Sequence, residues 1–299
     1  MTVRGIHAIL YAFFDEQERL DRAAMRRQVE ICLESGVAGI AALGLATEVA
    51  KLSFDERRTV MQWVSEVVGG RLPLGFTILG QSVEEQIALV REAEAAKADW
   101  VILQPPMVGS YGADEYIAFF SRIMAATDLP VAIQNAPQYL GRGLDANDIA
   151  LLMDRHPNMT LIKAEDSAVG IERLIARTEG KIDVFNGRGG LELIDNLRAG
   201  ASGFLLAPDN VDHAVEAMRL YDAGDPAADA RYAAMVPAIV FVMQSLETLI
   251  CYGKRLFAAR AGLTVHDRGP ALRPTEFGLS LVGQHAKALG PFGAGTGGR

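Results

Sequence analysis

Met159-Thr160-Leu161-Ile162-Lys163-Ala164-Glu165 decides how this chain reads. The run is short and apolar, as a buried strand is, yet it carries a lysine and a glutamate. A lysine there would bury an ammonium group, which is costly unless the group is paired or neutralised. One reading is an edge-strand lysine that snorkels to water beside a neighbouring carboxylate. The other is catalytic: a desolvated lysine has a lowered pKa, and its free amine can attack a ketone to form a Schiff base. Strand alternation places Lys163 and Glu165 on one face, so amine and carboxylate would project together.

Outward from this run, β-rich segments alternate with amphipathic helical ones. The strand patterns are His7–Phe14, Gly39–Gly44, Pro73–Leu79, Trp100–Pro105, Pro130–Asn135, Thr160–Glu165, Asp183–Asn186 and Gly203–Ala207. The helical patterns between them are Arg22–Ser35, Phe54–Val68, Val83–Ala96, Ala113–Ala126, Ala146–Arg155, Val169–Thr178, Leu191–Ala199 and Val211–Ala223. Ser53 with Glu56 reads as a capping box, Ser82 before Val83-Glu84-Glu85 as another, and Gly36, Gly180 and Gly200 stand where helix C-caps belong. Such a series of strands, each followed by a helix, predicts an α/β fold, a (β/α)8 TIM barrel, over residues 1–225. A doubly wound sheet is the alternative, but no GxGxxG follows the first strand. Residues 226–289 read as a helical appendage with helices over Ala227–Leu246, Glu247–Ala261 and around Pro274–Leu289. The glycine-rich tail 290–299 reads as disordered.

Composition narrows the function. The chain has 299 residues, 50% hydrophobic and 22% charged, enough for a large core. A formal net charge of −8 with no basic tract argues against nucleic-acid or anionic-membrane partners, and leaves a small anionic substrate open. Cys32 and Cys251 show no disulfide or zinc spacing. His7, His156, His213, His266 and His285 do not cluster, so neither a catalytic metal nor a Ser–His nucleophile is expected. No apolar run reaches membrane-spanning length, and Met1-Thr2-Val3-Arg4-Gly5 runs straight into a strand pattern, so a cytoplasmic protein is expected.

In such a barrel the active site gathers at the C-terminal ends of the strands. Those ends carry Gly44-Leu45-Ala46-Thr47-Glu48, Gln104-Pro105-Pro106, Gln134-Asn135-Ala136-Pro137, Lys163-Ala164-Glu165 and Asn186-Gly187-Arg188-Gly189-Gly190. Lys163 is the only lysine among them; Lys51, Lys97, Lys181, Lys254 and Lys287 read as solvated surface. The glycine-rich loop at Asn186 lacks Walker spacing and reads as a tight turn near the substrate rather than a nucleotide site.

Together, Gly44-x-x-x-Glu48 followed by Leu52-Ser53 and Glu56-Arg57, the Asn135-Ala136-Pro137 element and Ile162-Lys163 resemble the dihydrodipicolinate synthase/N-acetylneuraminate lyase superfamily of Schiff-base barrels. The resemblance covers nearly the whole chain. It implies that Lys163 forms an imine with a 2-oxo acid, that the Gly44–Thr47 loop binds the acid's carboxylate, and that no cofactor is needed. It also implies a homotetramer, a dimer of dimers. Departures from the pattern are informative. Gln134 stands where a proton-shuttling tyrosine is usual, and glutamine is neither acid nor base near neutral pH. Tyr139 stands where the synthases place an arginine for their aldehyde substrate, Leu45 and Ala46 replace paired hydroxyls, and Pro106-Met107 replaces an aromatic pair.

These departures resemble the 2-keto-3-deoxyarabonate dehydratase branch, which also lacks the tyrosine and places a glutamate two residues after the lysine. That branch's asparagine in the strand-seven loop is Gly189 here, with Asn186 nearby. The expectation is a hydro-lyase for a 2-oxo-3-deoxy sugar acid. Lys163 would form the imine, Glu165 would take the C3 proton, and Gln134 would orient a carboxylate or a water. Ala46, Thr47, Asn186, Gly187 and Leu206 would bind substrate, and Glu48 would be a structural hydrogen-bonder. An aldolase releasing pyruvate, a synthase-like condensation, a deaminase of a cyclic imino acid and a silent ligand-binding barrel stay open as alternatives.

Overall fold

Strands β1 (Gly5–Ile9), β2 (Gly39–Ala42), β3 (Leu74–Ile78), β4 (Trp100–Leu103), β5 (Val131–Asn135), β6 (Met159–Ala164), β7 (Asp183–Asn186) and β8 (Gly203–Leu206) pair in parallel in chain order. Pairing of β8 with β1 closes the barrel. The computed structural model describes residues 3–293. Each strand is followed by an outer helix: α1 (Arg22–Glu34), α2 (Phe54–Val68), α3 (Val83–Ala95), α4 (Ala113–Met124), α5 (Ala146–Arg155), α6 (Ala168–Arg177), α7 (Leu193–Arg198) and α8 (Val211–Asp222). Three appended helices follow: α9 (Ala227–Val242), α10 (Leu246–Ala261, with a π-turn at Leu249–Gly253) and α11 (Glu276–Leu289). The (β/α)8 barrel is therefore as expected. Residues 294–299, the end of the tail read as disordered, lie outside the described residues.

Large and absent side chains alternate inside the barrel. His7 and Trp100 meet edge to face at 5.8 Å, and His7 meets Phe185 at 5.1 Å. Their strand neighbours Gly39 and Gly75 supply the room: a Cβ would lie 2.2 Å from the His7 ring at Gly39 and 2.4 Å from the Trp100 ring at Gly75. This filling makes the interior a packed core, each fully buried ring or aliphatic side chain contributing about 1.5–3 kcal/mol. His7 is thus a floor residue; burial lowers its pKa to about 4.

Local punctuation sets the element ends. The Ser53–Glu56 capping box opens α2 in both directions, and the Ser82 side chain accepts from Glu85 at the start of α3. Two expected ends move by more than two residues. Strand β1 stops at Ile9 rather than Phe14, because the Tyr11 backbone turns to the Gln28 side chain, with bonds of 2.8 and 2.9 Å in place of a ladder. Helix α9 stops at Val242 rather than Leu246, because Ser245 and Thr248 form a capping box that opens α10. The chain bends by 107° between the two helices. Among the described residues no single helix is long and apolar enough to cross a membrane.

Lys254 corrects a sequence reading. It is fully buried, not solvated, and forms an ion pair with buried Glu48. Glu48 sits in the left-handed region (φ 56°) and also accepts from Lys51 at 2.6 Å. Glu48 therefore fastens the loop after β2 to α10, in keeping with a structural role. Nothing within α10 signals this, since the partner is far away in sequence.

Candidate active site

The C-terminal rim of the barrel brings Lys163, Glu165 and Gln134 together. Lys163 pairs in register with Gln134 across β5 and β6, so both side chains project at the same height. Lys163 Nζ lies 2.7 Å from Glu165 Oε1, with both side chains 7% exposed. Gln134 Nε2 donates to the same Glu165 oxygen at 3.2 Å, and Gln104 Nε2 donates to Gln134 Oε1 at 2.5 Å. The chain Gln104–Gln134–Glu165 fixes which end of the Gln134 amide faces the carboxylate. Gln134 thus holds the Glu165 carboxylate by a hydrogen bond.

A small cavity of about 50 Å³, open to solvent at its mouth, surrounds the pair. Ala46 and Leu45 line it from the loop after β2, Tyr139 and Arg188 from the loops after β5 and β7, and Met243, Leu246 and Leu249 from the appendage. A wider concavity near Gly69–Leu74 lies at the opposite end of the barrel, away from these groups. Gly187 backs the carboxylate: a Cβ there would stand 3.0 Å from Glu165 Oε1 and would press the carboxylate to shift by a few tenths of an ångström.

Three expected binding residues are placed elsewhere. The Thr47 hydroxyl donates to the Leu10 carbonyl at 2.5 Å and is fully buried. Asn186 is absorbed by structure: its amide donates to Asp166 O and Asn196 Oδ1, both at 2.8 Å, and its oxygen accepts from Gly187 N at 2.7 Å. Leu206 is buried without lining the cavity, whereas its neighbours Leu205 and Ala207 line it. Strand alternation explains this, since the expectation chose the wrong parity in β8. Turn bonds from Thr47 N and Glu48 N to Gly44 O and Leu45 O leave the Leu45 and Ala46 amides without a partner among the described residues.

Tyr139 and Arg188 were not expected as site residues. After β5, Pro137–Leu140 forms one helical turn ended by Gly141 at φ 67°, and Tyr139 lines the cavity from this turn. Burial raises the Tyr139 pKa, and the Glu165 charge raises it further; the Arg188 guanidinium acts against these. Arg188, at φ 52°, is held by Glu192 at 2.8 Å and the Asp166 carbonyl at 2.9 Å. The available signal was position alone, a tyrosine two residues beyond the Asn-x-Pro element. Among the described residues no group of three His, Cys, Asp or Glu side chains could hold a metal.

Comparison with known proteins identifies the family. The model of the dihydrodipicolinate synthetase family matches residues 2–267. A 4-hydroxy-tetrahydrodipicolinate synthase of Methanoculleus marisnigri is 31% identical over 208 residues, 69% of this chain and 70% of the relative. The L-2-keto-3-deoxyarabonate dehydratase of Azospirillum brasilense is 27% identical over 245 residues, 79% of this chain and 78% of the relative. A prophage protein of the dihydrodipicolinic acid synthase family from E. coli K12, solved with pyruvate, superposes with a TM-score of 0.89 at 21% identity, covering 97% of this chain and 99% of that one. With the family model spanning the barrel and its rim, the chain belongs to the dihydrodipicolinate synthetase family and is a lyase of that family.

Proposed function

We propose that the chain is a hydro-lyase that removes water from a 2-oxo-3-deoxy sugar acid through an imine on Lys163. The observation that carries this reading is the 2.7 Å contact between Lys163 Nζ and Glu165 Oε1 inside the cavity. A buried ion pair can pass one proton from ammonium to carboxylate, which leaves a free amine and two neutral groups. The amine adds to the substrate's C2 carbonyl, the Glu165 proton leaves with the carbonyl oxygen as water, and the protonated imine that forms acidifies C3. The Glu165 carboxylate, ionised again, takes the C3 proton, and the resulting enamine expels the C4 hydroxyl. Hydrolysis of the conjugated imine restores Lys163 and releases the unsaturated 2-oxo acid. The partnerless amides of Leu45 and Ala46 are donors for the substrate carboxylate. Retro-aldol cleavage needs a base at the C4 hydroxyl, and Gln134 is none.

The Azospirillum dehydratase and the pyruvate held by the E. coli protein support a 2-oxo acid as the substrate class. The same reading includes a homotetramer: Met107, Val108 and Tyr111, exposed at 45%, 74% and 55% on the loop after β4, are apolar surface for an assembly to cover. Light scattering of the purified chain tests that part.

Borohydride reduction in the presence of pyruvate, followed by intact mass, tests the imine. One adduct is expected on the wild type and none on Lys163→Ala. A stereoisomer mixture of 2-oxo-3-deoxypentonates then separates the reactions. Loss of water is expected, and release of pyruvate with an aldehyde would overturn the dehydratase reading.

A further inference from the structure

Water loss needs two proton movements, one away from C3 and one onto the departing oxygen at C4. Among the described residues, the ionisable side chains lining the cavity are Tyr139, Lys163, Glu165 and Arg188. Lys163 is the imine nitrogen and Glu165 the base at C3. Arg188 is a guanidinium fixed by Glu192 and the Asp166 carbonyl, and a guanidinium does not act as a proton donor in this range. Gln134 carries no exchangeable acid proton.

From this elimination and the placement of the phenol, we infer that Tyr139 is the acid that protonates the leaving C4 hydroxyl; the inference rests on the dehydratase reading. As the enamine pair moves from C3 into the C3–C4 bond, the C4–O bond breaks and its electrons take the phenol proton, forming water. The phenolate that remains is stabilised by the Arg188 charge, and regains its proton from the protonated Glu165. Both groups then return to their starting states, with no oxidant or reductant required. Burial and the Glu165 charge keep the phenol protonated before reaction, so it enters as a donor and not as a base for carbon–carbon cleavage. The rival is a single-residue shuttle, in which Glu165 returns the C3 proton to the leaving oxygen.

Tyr139→Phe separates these when three reactions are followed on the same preparation. Borohydride trapping with pyruvate reports the imine, deuterium uptake at C3 of 2-oxobutanoate in D2O reports Glu165, and mass loss from a 2-oxo-3-deoxypentonate mixture reports water removal. The expected result is trapping and exchange within about twofold of wild type, with dehydration slowed by about 10²–10⁴-fold. Undiminished dehydration would overturn the inference in favour of the Glu165 shuttle while leaving the dehydratase reading intact. Joint loss of exchange and dehydration would overturn it too, by making Tyr139 a partner of Glu165 rather than an acid at C4. A wild type that neither traps, exchanges nor dehydrates would remove the parent reading itself.

Discussion

Glu48 on the loop after β2 and Lys254 on α10 form an ion pair with 1% and 0% of their side chains exposed. The contact ties the barrel's rim to the appendage across 206 positions of sequence. Lys51 also reaches Glu48, so the carboxylate has two cations, whereas Glu48 is the one carboxylate that Lys254 pairs with among the described residues, the Asp267 charge adding to its stabilisation. Burial lowers the Lys254 pKa, with Glu48 acting against it.

This asymmetry predicts unequal mutants. Glu48→Gln strands Lys254 and is expected to destabilise by about 3–5 kcal/mol, whereas Lys254→Met leaves Glu48 paired with Lys51 and is expected to destabilise less. Urea unfolding of both variants and of the double mutant checks it. Equal losses in the two single mutants would contradict the ordering.

Glu165→Gln keeps the shape of the site and removes the base we propose. Dehydration is expected to fall about 10²–10⁴-fold, with deuterium exchange at C3 falling alongside. Borohydride trapping should still label Lys163, provided the reaction is followed long enough for the unassisted amine. A variant that dehydrates at the wild-type rate would show that Glu165 only holds Lys163 in place.

Asp209, just beyond β8, is buried; burial raises its pKa from 3.8 to about 7, against the Tyr11 hydrogen bond and the Arg260 charge, with the Asp212 charge adding to the rise. Tyr11 Oη donates to it at 2.8 Å. Between those pH values the native state holds a proton that the unfolded chain has released. The carboxyl therefore penalises folding increasingly as pH rises through this window, and the penalty levels off above about 7. Asp209→Asn removes the titration. Its stability relative to wild type is expected to be about 2–3 kcal/mol more favourable at pH 8 than at pH 5, read from denaturant midpoints. A difference that is flat with pH would show that Asp209 does not titrate in this range.

Much of the barrel was legible because its determinants are local. Apolar runs between capping serines and C-terminal glycines give away strands and helices, and Lys163 with Glu165 is conspicuous inside one such run. The ends of β1 and α9 were less visible, for different reasons. Gln28 intercepts the Tyr11 backbone from another element, whereas Ser245-Leu246-Glu247-Thr248 was a local signal that an otherwise continuous apolar pattern concealed. Site residues outside strands were the hardest to find. Alternation carries no information for Tyr139 on a single helical turn, and it misled for Leu206, where a one-residue change of parity separates lining from packing. Thr47 and Asn186 have the right chemistry, but backbone and amide partners nearby already hold their polar atoms. Lys254 looked ordinary because its partner lies in the opposite half of the chain.

Met243, Leu246 and Leu249 reach the cavity from the appended helices, while Lys163, Glu165 and Gln134 come from barrel strands and the residue just beyond β6. The roof and the reaction thus belong to separate stretches of the gene. Substitutions in the hairpin of α9 and α10 can reshape what fits above Lys163 and Glu165 without disturbing the strands that place them. Such a division lets descendants of one barrel exchange substrates while inheriting the same chemistry.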